Sequence, residues 1–170
     1  MSVSADHPST PTAALREPAH RVSTRAPVLW AASAALQEVV VVVVLVVVEA
    51  MDWWDVPLWV WPAYAVVALA YVVAMPLVRY RIHRWETTET AVYTQTGWLS
   101  RELRIAPMSR VQTVDFDQSA VARLFSLASV TVTTASAAGP LHINGIEVGT
   151  ARRLVEDLTR RAEAEAGDAT

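Results

Sequence analysis

Two long apolar stretches, at residues 27–48 and 57–78, constrain this chain more than any other feature. Each is close to the roughly 20 residues with which an α-helix crosses about 30 Å of hydrocarbon. Residues 39–48 are valine throughout except for Leu45. In water such a run suits a buried strand as well as a helix. In lipid a lone strand would leave its backbone N–H and C=O groups unpaired, so only the helix survives. A cleaved signal peptide fits the first stretch poorly, because the polar lead is long and a second stretch follows. The two read as a transmembrane hairpin.

Arginine distribution orients it. Arg16, Arg21 and Arg25 precede the first stretch, and Arg79, Arg81 and Arg84 follow the second. The link carries Glu49, Asp52 and Asp55 with Trp53 and Trp54, and no basic residue. Basic flanks stay on the cytoplasmic side. The expectation is a multi-pass plasma-membrane protein with both termini in the cytoplasm. Trp30 at one boundary, and Trp53, Trp54, Trp59 and Trp61 at the other, suit interfacial aromatic belts. Pro57 suits the first turn of the second helix, and Pro62 and Pro76 read as local kinks. Residues 1–26 are rich in Ser, Thr, Pro and Ala without apolar periodicity, so they are expected to be a disordered cytoplasmic tail, as are residues 167–170.

Glu38 interrupts the first span, where a carboxylate is costly. Antiparallel pairing puts it at the depth of Val67, about a turn from both Tyr64 and Tyr71. A protonated Glu38 that hydrogen-bonds inside the hairpin is the simplest account. Helix association between protomers through this polar spot is the competing one.

Past residue 78 the period changes. Tyr80 and Ile82 alternate with Arg79, Arg81 and Arg84, and β-rich runs follow at 91–96, 98–105, 111–116 and 130–134. Thr96-Gly97 separates the first two of these as a tight turn, and Pro107 ends the next because it has no N–H for a ladder. Residues 130–134 put valines on one face and threonines on the other. A short strand is expected at 141–143. From Thr150, a plausible N-cap, to about residue 164, Leu154, Val155, Leu158 and Ala162 recur at helical spacing. Residues 79–166 thus read as an α+β domain, an antiparallel meander of roughly six or seven strands closed by one C-terminal helix.

Composition removes several functions. There is no cysteine, so disulfides and thiolate sites are excluded, and the net charge of −3 argues against nucleic acid. His83 and His142 are the only histidines of the domain, and no metal, nucleotide or nucleophile-elbow motif occurs. No catalytic residue, metal or cofactor is expected.

The series Thr96-Gly97-Trp98-Leu99, Pro107-Met108-Ser109-Arg110-Val111-Gln112, Arg123-Leu124-Phe125-Ser126-Leu127 and Val130-Thr131-Val132-Thr133-Thr134 resembles the bacterial pleckstrin-homology-like (PH-like) domains. In particular it resembles their membrane-anchored, YdbS-like branch, in which a two-span hairpin precedes the domain. The resemblance implies a PH-like barrel used for binding or scaffolding, and no site residues come with it. Ser126 stands where the family commonly has glycine, implying a less sharp turn.

The expected role is therefore a membrane-anchored scaffold that binds an unidentified membrane or cytoplasmic protein, or its own copies. Arg110 and Gln112, the sheet edges and the groove beside the C-terminal helix are its contact candidates. An alternative is a sensor of anionic membrane lipids through Arg79, Arg81 and Arg84. Another is an accessory subunit of a transport or secretion complex. An inositol-phosphate site in the first hairpin is excluded, because residues 86–90 are acidic and lack lysine.

Overall fold

The computed structural model describes residues 17–54 and 56–168, and the expected tail up to residue 16, with Arg16, lies outside them, as do Asp55 and residues 169–170. Helices α1 (Ala26–Ala50) and α2 (Val60–Ile82) form the hairpin. Both are long and apolar enough to cross a membrane. Val39, Val43, Val66 and Leu69 are among the many apolar side chains left largely exposed, as suits a surface that faces lipid. Pro57 sits before α2, where its carbonyl accepts the Val60 N–H at 2.9 Å, instead of in the first turn. Pro62 falls in that first turn, where a missing N–H costs nothing.

The domain has two antiparallel sheets. The first runs in the order β1 (His20–Arg21), β2 (Arg84–Thr87), β3 (Ala91–Thr96) and β4 (Glu102–Pro107). The second is β5 (Val111–Asp117), β6 (Leu127–Thr134) and β7 (Leu141–Glu147). A short helix α3 (Ala120–Leu124) joins β5 to β6, and α4 (Val148–Asp168) closes the barrel. β6 follows the valine–threonine alternation: Val130 and Val132 are fully buried beside Leu127 and Ile143, while Thr131 and Thr133 are only partly covered. α4 adds Ala151, Leu154 and Leu158 to the same core. It begins before Thr150, whose hydroxyl accepts from Arg153 instead of capping.

β4 begins at Glu102, later than the alternation suggests, because residues 98–101 form the turn. Gly97 has φ +133°, and a Cβ there would lie 1.7 Å from the Ser100 carbonyl oxygen, so only glycine fits. Ser126 adopts φ +56°. The sharp turn is thus kept without glycine, at a cost of about 1–2 kcal/mol for a left-handed L-residue.

Residues 17–25 correct the expectation of a disordered tail reaching residue 26. β1 pairs with β2 through His20–Trp85 and Arg21–Arg84. The Ser23 N–H donates to the Gly145 carbonyl of β7 at 3.0 Å, and Pro18 and Val22 are buried. This segment joins both sheets. Its polar, aperiodic composition hides the role, since its stability comes from backbone pairing.

Candidate functional site

The domain's membrane-proximal end is built around α1. Ala26, Leu29 and Trp30 are buried in the domain core, so the start of α1 belongs to the barrel as well as to the anchor. Gly145 (φ +77°) makes this approach possible: a Cβ there would lie 2.7 Å from that of Ala26 and 3.3 Å from the Trp30 ring. Trp30 is therefore covered by protein, which corrects its placement in a lipid-facing belt. The Arg79 guanidinium lies 4.4 Å from its ring centroid, a cation–π contact. The His83 ring packs near it at 5.8 Å.

α2 is fixed to the same end. Gln95, itself buried, donates from Nε2 to the Ile82 carbonyl at 3.1 Å, satisfying one of the orphan acceptors of the helix terminus. The Asn144 N–H donates to His83 Nε2 at 3.3 Å, which makes Nε2 the acceptor and places the ring proton on Nδ1. Burial, and then the Arg79 charge, push the His83 pKa down to about 4. The folded protein resists this proton while the unfolded chain accepts it near pH 6.5. Stability is therefore full above about pH 6.5 and is lost as pH falls toward 4. Thermal melts of the full chain should lose about 2 kcal/mol between pH 8 and pH 5. His83→Leu should remove most of that slope, and an unchanged slope would refute the assignment.

The three arginines proposed for lipid headgroups are in different environments. Arg79 stacks on Trp30, and Arg84 pairs with Glu17 at 3.5 Å. Arg81 alone of the three is exposed without an ion pair among the described residues. In the hairpin, Tyr64 donates a hydrogen bond to Glu38, whereas Tyr71 meets Trp98 edge-on with centroids 6.0 Å apart. The tip of the β3–β4 hairpin thus lies alongside α2.

Arg110 and Gln112 also separate. Arg110 is exposed, with no ion pair to Asp115 or Asp117, and borders a cleft of about 350 Å³ beside β4. Gln112 stands at a register shift between Val111 and Thr113 and lines another cleft, of about 390 Å³, between β5 and α4. β5 is an edge strand, with Thr113, Asp115 and Phe116 exposed. On α4, Asp157 holds both Arg160 and Arg161 at 2.6 Å.

A sequence model of the family described as Bacterial PH domain matches residues 32–162. The chain is 32% identical over 95 residues to the UPF0699 transmembrane protein YdbS of Bacillus subtilis (strain 168). That match covers 56% of the chain and spans 58% of the length of the relative. No solved structure matches.

Proposed function

Since the chain belongs to the bacterial PH domain family, we propose that its hairpin holds a PH-like domain against the cytoplasmic face of the plasma membrane, where it binds a protein segment or a second copy of itself. The β5 edge carries this reading. Among the described residues its outer side pairs with no strand, and the cleft toward α4 gives an added segment side-chain contacts on one side. An extended segment that adds to such an edge gains main-chain hydrogen bonds from the strand and specificity from the groove. Edges are commonly blunted by charge, a bulge or a covering element, and β5 carries Asp115, Asp117 and the register shift at Gln112, so a segment that adds here must suit them. The arginine bias supports the cytoplasmic placement. Arg21, Arg25 and Arg81 are exposed at the domain's membrane-proximal end, and the described part of the α1–α2 link contains no basic residue.

A photo-crosslinking residue at Gln112 in native membranes tests the edge. The expected adduct is lost in Thr113→Pro, which puts a proline into the strand that the segment would pair with, and kept in Arg81→Gln. An adduct that survives Thr113→Pro, or none from Gln112 when Arg104 controls do crosslink, would contradict edge pairing. Reporter fusions near Asp52 and at residue 166 are expected to mark the outer and the cytoplasmic side respectively. A cytoplasmic signal near Asp52 would overturn the orientation.

A further inference from the structure

We propose that the cleft between α2 and the β3–β4 hairpin is a binding site for one anionic phospholipid. This rests on the membrane insertion of the hairpin and is independent of the β5 edge. The cleft encloses about 390 Å³, and its lining has two unlike ends. Tyr71, Met75 and Trp98 make an apolar slot along the helix, while Arg79, His142 and Asn144 make a polar end. Arg79 lies two helical turns beyond Tyr71, about 12 Å nearer the cytoplasmic end of α2. The separation suits a lipid whose phosphodiester meets the guanidinium while an acyl chain runs back along the slot.

Charge points the same way. Arg79 is half-buried, has no carboxylate partner among the described residues, and no acidic side chain lines the cleft. Its cation–π contact with Trp30 occupies one face of the guanidinium and leaves edge N–H donors for an anion. Arginine presents those donors in the planar fork that matches phosphate oxygens. The occupant is argued from continuity with the bilayer. The hairpin tip places Trp98 against Tyr71 in the middle of α2, and the neighbouring Leu99 is 83% exposed. On the side of α1, Leu124 of α3 is 82% exposed. Beside the middle of a membrane-crossing helix these side chains stand at the depth of acyl chains, while Arg79, about 12 Å nearer the helix end, stands at the depth of headgroups. The cleft therefore opens where phospholipids stand.

Native mass spectrometry of the full chain in mild detergent tests this, with phosphatidylglycerol as probe and phosphatidylcholine and inorganic phosphate in parallel. One phosphatidylglycerol per chain is expected, held more tightly than phosphatidylcholine, with inorganic phosphate failing to displace it. Arg79→Gln removes a charged donor set and should weaken binding about tenfold or more. Met75→Trp fills the apolar slot without touching the charge and should weaken it comparably while the melting temperature is kept. Arg81→Gln, outside the cleft, should leave it within about twofold. The proposal is overturned if Arg81→Gln loses as much as Arg79→Gln, if both cleft variants bind as the parent does, or if inorganic phosphate competes at equal concentration.

Discussion

Replacing Gly145 by valine is expected to detach the N-terminal segment and α1 from β7, and to be among the most damaging single changes in the domain. Two costs combine. Gly145 has φ +77°, a conformation that costs an L-residue about 1–2 kcal/mol. Its added Cβ would also lie 2.7 Å from that of Ala26, in a buried seam with no flexible side chain to yield. Overpacking of this kind costs typically about 1–3 kcal/mol. Trypsin gives a direct readout, because Arg21 and Arg25 are exposed but held in place by β1 pairing and by the Ser23–Gly145 bond. A loss of about 3 kcal/mol raises the open population, and with it cleavage at these sites, on the order of 100-fold. Gly149→Ala serves as control: a Cβ there would meet only Arg153 Nη1, at 3.8 Å, and cleavage should stay at the parent rate. If Gly145→Val is cut no faster than the control, α1 is not seated on β7 as described.

Trp30→Ala should be comparably severe, at about 3–5 kcal/mol for a large buried side chain. The loss goes beyond a cavity, since Trp30 carries the Arg79 guanidinium and also packs near the His83 ring. Removing it lets water reach His83, so the acid-dependent loss of stability should shrink along with the overall stability. A cavity with no effect on this site would lower stability equally at pH 8 and pH 5. The two substitutions should also couple. In Gly145→Val/Trp30→Ala the valine can enter the space the indole left, so the combined loss should fall short of the sum. Simple additivity would mean that Trp30 and Gly145 do not share one seam.

The anchor and the barrel were legible for different reasons. Lipid leaves a chain few options, so the length of the apolar stretches was enough to find α1 and α2. The alternation at Val130 and Val132, and the helical spacing of Leu154 and Leu158, record which faces are buried. Leu29 and Trp30 were misleading because lipid and protein core select the same apolar residues. Nothing in their chemistry tells a lipid-facing turn from one packed on β7. β1 was missed because two polar residues held by backbone pairing leave no side-chain pattern. Gly145, following Asn144, was a turn signal present in the sequence, but its partner lies far away in α1. The Tyr71–Trp98 contact, and with it the lipid cleft, depends on how far the β3–β4 hairpin folds back along α2. That angle is a tertiary property.

With α1 serving both, hairpin and domain are expected to move as one rigid body. The chain has no cysteine, so two introduced cysteines can be spin-labelled without interference. Val46, on the lipid-facing part of α1, and Ala137, in the β6–β7 connection, are both exposed. Pulsed electron paramagnetic resonance on Val46→Cys/Ala137→Cys in lipid nanodiscs should give one narrow distance distribution. That distribution should broaden when Gly145→Val is added. A broad distribution in the otherwise unaltered chain would mean a domain swinging on a flexible tether, and would contradict the account.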